Sequence, residues 1–346
     1  HFVGDFGNFT VAMSRSRSRS PAKVTFSPLH PHVGARVEGI DLNEISETEI
    51  LKILGPALEK YGLLHFPNQK LSPPAFFDVL RRFPDVDLEE LSCQQNPFAQ
   101  KDPSCLPELP TVRALGTMTS DPKLHRNARP ETNEMGMEWH TDGCGITGLY
   151  AAEVPSTGQK RTTCWASGYH AWDLLDEEMK EKARQLRLRF GPKHTMEASV
   201  AELFRRGGRM SSNGLKLQQP IDATRLTPEE LKKREENTNS RRYLHFQGSP
   251  VRRHPFTGKC TLWSLPVFLE SCEGMSDQEA RDMLEKVLLP GTSGDAVYIH
   301  EWSPGDFVVW DNRSTLHSAT EVIDAPQLMY QTFLRTKTPM KAVDED

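Results

Sequence analysis

The 346-residue chain has little cysteine and no C-x-x-C pair. Its six cysteines (Cys93, Cys105, Cys144, Cys164, Cys260 and Cys272) are scattered, which argues against a thiolate zinc site and for free thiols in a reducing compartment. No apolar run approaches the roughly 20 residues that a membrane helix needs, so no membrane partner is expected. Neither sign of charge dominates: 42 basic and 47 acidic side chains give a net charge of −5, with both signs mixed along the chain. That distribution offers no general nucleic-acid surface, and no nucleic-acid partner is expected. No apolar signal-peptide region is visible, so a cytoplasmic location is expected, with an Arg/Ser-rich organelle leader as the alternative. What the chain does have is length and 37% hydrophobic residues, enough to bury a core without disulfide staples.

The run Ser14-Arg15-Ser16-Arg17-Ser18-Arg19-Ser20-Pro21 cannot bury apolar surface. Residues 1–23 are therefore expected to be a disordered arm or appended sequence, 24–340 the globular domain, and 341–346 a tail. Short apolar runs predict strands over Val33–Gly39, Leu63–Phe66, Thr111–Leu115, Ile146–Ala152, Thr162–Trp165, Leu186–Phe190, Cys260–Leu265, Ala296–Ile299, Phe307–Trp310 and Leu328–Leu334. Capping boxes Ser46-x-x-Glu49 and Ser276-x-x-Glu279 predict helix starts, Ser72-Pro73 predicts another, and the stripe Leu175, Met179, Ala183 and Leu186 predicts a helix over Asp173–Leu186. Many short strands without βαβ alternation point to a mainly β sandwich or jelly roll with flanking helices. Residues 198–242, strongly charged, read as an insertion between strands, either a lid or a solvated decoration.

Chemistry concentrates in Glu138-Trp139-His140-Thr141-Asp142-Gly143. In a strand, residues i and i+2 share a face, so His140 and Asp142 present an imidazole and a carboxylate together. These are two parts of a 2-His-1-carboxylate facial triad, which holds Fe(II) and leaves positions open for small molecules. Chance alone supplies roughly one or two His-x-acid pairs at this composition, so the pair needs context. A third ligand must come from a neighbouring strand. His317 follows the turn Ser303-Pro304-Gly305-Asp306 and the strand Phe307–Trp310, while His125, His170, His194, His245, His254 and His300 compete with it.

Several ordered motifs then carry a resemblance. Trp139-His140-Thr141-Asp142, Ala151-Ala152-Glu153-Val154-Pro155-Ser156-Thr157-Gly158, Thr163-Cys164-Trp165 and Trp310-Asp311-Asn312-Arg313-Ser314-Thr315-Leu316-His317 resemble the TauD/TfdA family of Fe(II)- and 2-oxoglutarate-dependent dioxygenases. Val33–Leu42 resembles that family's first strand. The resemblance covers roughly residues 28–336 and matches 198–242 poorly. It implies a double-stranded β-helix (jelly roll) and His140, Asp142 and His317 as iron ligands. It further implies Thr163 as a contact to 2-oxoglutarate, and hydroxylation of a small organic substrate by O2 with release of succinate and CO2. A true carboxylate at Asp142 fits hydroxylation rather than halogenation. Where the family places an arginine for the C5 carboxylate of 2-oxoglutarate, aligning on Met329 puts Gln327, and the substrate-side arginine becomes Gln331; Arg335 is the nearest downstream cation. Gln327 and Arg335 are thus both candidates for the co-substrate. A binding protein that keeps the triad without using 2-oxoglutarate is the alternative reading, an RNA-associated protein recruited through the Ser-Arg run is a second, and a homo-oligomer is an open option.

Overall fold

The fold is read from a computed structural model, which describes residues 9–12, 23–88, 105–117, 139–143, 145–158, 160, 162–190, 227–228, 246–264, 269–319 and 325–343. The strands in chain order are β1 (Phe9–Ala12), β2 (Lys23–Pro28), β3 (Ala35–Glu38), β4 (Leu63–Phe66), β5 (Cys105–Leu106), β6 (Leu109–Thr117), β7 (Ile146–Glu153), β8 (Thr162–Ser167), β9 (Leu188–Phe190), β10 (Phe246–Gly248), β11 (Val251–Arg253), β12 (Cys260–Leu262), β13 (Leu269–Cys272), β14 (Val297–Glu301), β15 (Phe307–Asp311), β16 (Thr315–Ala319), β17 (Gln327–Leu334) and β18 (Lys341–Ala342). The helices are α1 (Glu47–Glu49), which runs through a π-helical segment into α2 (Gly55–Tyr61), then α3 (Pro73–Arg81), α4 (Gly168–Asp173), α5 (Glu177–Gln185) and α6 (Asp277–Leu288).

A nine-stranded sheet in the order β1-β2-β3-β4-β15-β7-β17-β6-β5 forms one layer. A three-stranded sheet, β14-β8-β16, packs against it, and β10-β9-β13 and β12-β11-β18 form two further three-stranded sheets. Alternation along the strands separates two faces of the large sheet. Tyr150, Phe307, Val309, Leu328 and Tyr330 point to the core that α2 and α3 cover. Leu149, Val308 and Met329 point the other way and pack with Trp165 and Trp302 of the small sheet and the turn after it. The small sheet's outer face, through Cys164, Ala166 and Leu316, packs on α4, α5 and α6. Mostly β layers with helices outside is therefore the observed architecture. Gly148 shows why α3 lies so close: a Cβ there would collide with Leu80 Cδ1.

Local signals explain most boundaries. Both capping boxes form, with Ser46 and Ser276 accepting from the backbone of Glu49 and Glu279. Gly62 ends α2 at φ +72°, and Gly305 turns the chain into β15 at φ +83°. Other expectations need correction. The helix expected over 173–186 is two: Asp176 captures the Met179 N–H, so α5 starts at Glu177 after the separate turn of α4, itself capped by Ser167. Within the expected disordered arm, Phe9–Ala12 pairs with Lys23–Phe26 as a hairpin strand. The expected tail begins too early, because Lys341 and Ala342 pair with Arg253 and Arg252. Thr111–Leu115 lengthens to β6, and the strand expected to end at Leu265 stops at Leu262. The Ser-Arg run at 14–21 and, apart from Thr227 and Pro228, the 198–242 insertion lie outside the described residues. Among the described residues Cys105, Cys164, Cys260 and Cys272 are free thiols; Cys93 and Cys144 fall outside. No described helix is long and apolar enough to cross a membrane.

Candidate metal centre

His140 and His317 are 177 positions apart in sequence yet are cross-strand partners: the His140 N–H donates to the His317 carbonyl at 2.9 Å, and the His317 N–H donates back at 2.8 Å. The pairing holds the two imidazoles with centroids 4.2 Å apart. Asp142, two residues on, brings Oδ1 to 3.8 Å from His140 Nε2 and 3.5 Å from His317 Nε2. The three ligand atoms lie within 4.8 Å of one another. His317 is buried; His140 and Asp142 are half-buried.

Those separations suit an ion between the groups better than direct bonding. They exceed ordinary hydrogen-bond lengths, and the donor set of two imidazole nitrogens and one carboxylate matches Fe(II). Electrostatics agree. Burial pushes the pKa of the His317 imidazole below its ordinary value, which keeps its ring neutral with a lone pair for a metal. Burial pushes the Asp142 carboxyl up, but His317, His140 and the Thr147 hydroxyl together outweigh it and hold the group below its ordinary value.

A second ring of side chains aims Asp142. Thr147, the lone hydroxyl near the start of β7, donates to Asp142 Oδ2 at 2.6 Å. Asn312 Nδ2 donates to that Thr147 oxygen at 2.9 Å, and Asn312 Oδ1 accepts from the Asp142 backbone and from Trp310 Nε1. Thr141 turns away from the centre and donates to the Ser264 carbonyl. The β15–β16 turn that delivers His317 is clamped by Arg313, which bonds Asp311 and Asp85 at 2.8 Å each. Sequence reasoning gave Thr147 and Asn312 no role. The available signal was a polar residue inside the apolar run Ile146–Ala152, five positions after Asp142.

The competing histidines go elsewhere. His254 faces Asp311 at 3.3 Å, and His170 stacks on His32. His300 joins His65 and Asp306 in a second buried group of possible ligands. There His65 Nε2 lies 2.9 Å from Asp306 Oδ1, and the Ser303 N–H donates to Oδ2 at 2.8 Å. The carboxylate is thus already satisfied by direct hydrogen bonds that tie β4 to the turn before β15, with His300 Nε2 of β14 at 3.3 Å from Oδ2. His125, His194 and His245 lie outside the described residues.

The residues expected at 2-oxoglutarate separate. Thr163 is on β8, two positions from Trp165, the residue opposite His317. Its hydroxyl accepts from Trp302 Nε1 at 2.9 Å, and its own O–H is a donor by chemistry. Gln327 opens β17, fully buried, with Oε1 unpartnered among the described residues. Arg335 follows the other end of that strand, half-buried, its carbonyl accepting from the Asp87 N–H. Eight residues of extended chain span roughly 26 Å, so Gln327 and Arg335 cannot grip one carboxylate together. Gln331 lies between them, opposite Arg113 of β6, with Arg113 Nη1 at 3.5 Å from Gln331 Oε1.

Comparison with known proteins agrees with this geometry. The family model described as "Taurine catabolism dioxygenase TauD, TfdA family" matches residues 25–333. An alpha-ketoglutarate-dependent xanthine dioxygenase of Schizosaccharomyces pombe is 24% identical, covering 90% of this chain and 87% of that protein. An (S)-phenoxypropionate/alpha-ketoglutarate-dioxygenase of Sphingobium herbicidovorans is 26% identical, covering 87% and 90%. The crystal structure of a taurine dioxygenase from Burkholderia xenovorans superposes with a TM-score of 0.63 at 20% identity, covering 93% of this chain and 92% of that one. A converging His-x-Asp and distal histidine, set between two β layers and matched by a family model along most of its length, make this chain a member of the TauD/TfdA family of Fe(II)- and 2-oxoglutarate-dependent dioxygenases.

Proposed function

We propose that His140, Asp142 and His317 hold the Fe(II) of this dioxygenase, and that the two facing sheets form a double-stranded β-helix around it. The convergence of two Nε2 atoms on one carboxylate oxygen carries this reading. An Fe(II) held by these three residues would supply the oxidative chemistry by which substrate, O2 and 2-oxoglutarate become hydroxylated product, succinate and CO2.

The chain's own part is positioning. The paired backbones of His140 and His317 fix both rings before metal arrives. Thr147 and Asn312 hold Asp142 with one oxygen committed to a hydrogen bond and the other turned to the ligand set. Thr163, its lone pair taken by Trp302, offers its O–H to a carboxylate of 2-oxoglutarate. Trp165 and Trp310, stacked edge to face beside His317, keep the interior apolar and exclude water.

The substrate is a small organic molecule. Gln327 and Gln331 stand where the family resemblance expects arginines, so neutral amides replace two cations in this pocket. The relatives named for xanthine and for phenoxypropionate define the two chemistries to test. Succinate release in air, with purines and aryloxyalkanoic acids as substrates, is expected to show coupled turnover with one of them. Absence of succinate with every substrate would reject the reading.

A further inference from the structure

Aromatic rings between the two sheets form a series that starts at the candidate ligand His317. The Trp310 ring lies 5.0 Å from the His317 ring, Trp165 lies 5.4 Å from Trp310, and Tyr298 stacks on Trp165 at 6.4 Å. These are centroid separations of rings in ordinary contact, so no gap interrupts the series. It ends on β14, the edge strand of the small sheet, where Tyr298 is half-buried and its neighbour Ile299 is exposed. The series therefore runs from the metal centre to the surface.

Its members differ in what they can do with a proton. Trp165 is fully buried, and its Nε1–H has no acceptor among the described residues. Trp310 Nε1 donates to the amide oxygen of Asn312, which is not a base at neutral pH. An indole oxidised at either position keeps its proton and stays able to draw an electron from the next ring. Tyr298 is arranged the other way. Its hydroxyl lies 2.9 Å from His300 Nδ1, and His300 Nε2 faces Asp306 Oδ2 at 3.3 Å. That carboxylate favours the tautomer with the proton on Nε2, which leaves Nδ1 to accept the phenol O–H. Burial pushes the pKa of His300 below its ordinary value, so the ring is a neutral base. Burial and the Asp306 charge push the Tyr298 phenol up, so the reduced pair keeps its proton on oxygen. An oxidised phenol is a strong acid and gives that proton to Nδ1. The imidazolium so formed lies against Asp306, which His65 Nε2 anchors at 2.9 Å.

Resting on the dioxygenase reading above, we propose that Trp310, Trp165 and Tyr298 form an electron relay that discharges the oxidant produced when 2-oxoglutarate is consumed with no substrate bound. Trp310 gives one electron to that oxidant, Trp165 refills Trp310, and Tyr298 refills Trp165. The Tyr298 proton moves to His300 Nδ1, which leaves a neutral tyrosyl radical on the edge strand. A soluble one-electron donor of the ascorbate or thiol class reduces the radical, and His300 returns the proton. Two such cycles, with two protons from solvent, supply the electrons that restore Fe(II) and turn the unused oxygen atom into water. The relay thereby spares Met329, packed with Trp165 and Trp310, from oxidation to the sulfoxide.

The test mixes the full chain, loaded with Fe(II) and 2-oxoglutarate, with O2 in the absence of substrate and freezes it rapidly for EPR. The expected result is a tyrosyl signal that ascorbate removes, that Tyr298→Phe abolishes and that His300→Gln diminishes. The phenylalanine keeps the stacked ring, so the fold is retained. Peptide mass spectrometry after repeated turnover without substrate is expected to show more Met329 sulfoxide in Tyr298→Phe than in wild type. A signal unchanged in Tyr298→Phe, or no signal from a wild type that releases succinate, overturns the relay. Equal Met329 oxidation in the two proteins overturns its protective role. A wild type that releases no succinate instead rejects the dioxygenase reading, and the relay with it.

Discussion

Replacing Thr147 with valine removes one hydroxyl and keeps the side-chain shape. Thr147 is fully buried, so water cannot substitute for the lost group. Asp142 Oδ2 loses a hydrogen bond of 2.6 Å to an ionised acceptor, worth about 1.5–3 kcal/mol. If that bond serves to hold the carboxylate in its ligating orientation, the same free energy reappears as a metal affinity about 10- to 150-fold weaker. The usual cost of removing a partner behind a metal ligand, roughly 10- to 100-fold, falls in that range. Asn312 Nδ2 also loses its acceptor at 2.9 Å, so the folded state should weaken by about 1–3 kcal/mol. Anaerobic Mn(II) or Fe(II) titration reads the first effect and thermal unfolding of the apo-protein the second. A Thr147→Val protein that loses stability but binds metal within twofold of wild type would refute the positioning role and leave Thr147 a purely structural residue.

Asp142→Ala should abolish coupled succinate formation, measured as succinate released per substrate consumed, and retention of full activity would overturn the ligand assignment. Burial raises the Asp306 carboxyl, but hydrogen bonds from His300 and His65 outweigh it and hold the group well below its ordinary 3.8. The stability this confers is complete above that ordinary value and is lost as pH falls through the folded-state value, so Asp306→Asn should flatten the acid side of a stability–pH curve. An unchanged acid slope in urea titrations would contradict it. Gly148→Ala should destabilise the fold by about 1–3 kcal/mol, because the new methyl collides with Leu80, and Leu80→Ala should relieve much of that cost in a double-mutant cycle of Tm values. Additive losses would show that the two residues do not meet.

Much of the fold and part of the site were legible in the sequence, for reasons tied to particular residues. Strands buried on both faces, such as Phe307–Trp310, announce themselves as apolar runs, and the capping boxes at Ser46 and Ser276 fix helix starts through local bonds alone. The His140-x-Asp142 spacing was readable because period two in an extended segment is a local property. The third ligand was not, since the His140–His317 pairing is made by topology and no local rule selects among the histidines; only the motif around Trp310–His317 pointed to it. Asn312 was missed for the same reason, since it reaches Thr147 from far away in sequence; Thr147 lies only five positions after Asp142 but was hidden inside an apolar strand. Arg335 and Gln327 were read as alternatives at one carboxylate, and strand geometry sets them roughly 26 Å apart along the chain, so at most one of them can serve there. The helix expected over Asp173–Leu186 failed because Asp176, read as an interior residue, is a cap.

A crystal structure of the protein grown anaerobically with Mn(II) in place of Fe(II) tests the central claim most directly. The account predicts one strong metal peak bonded at about 2.0–2.2 Å to His140 Nε2, His317 Nε2 and an Asp142 oxygen, with Thr147 still on the other carboxylate oxygen. A peak among His65, His300 and Asp306 with none between His140 and His317 would contradict it.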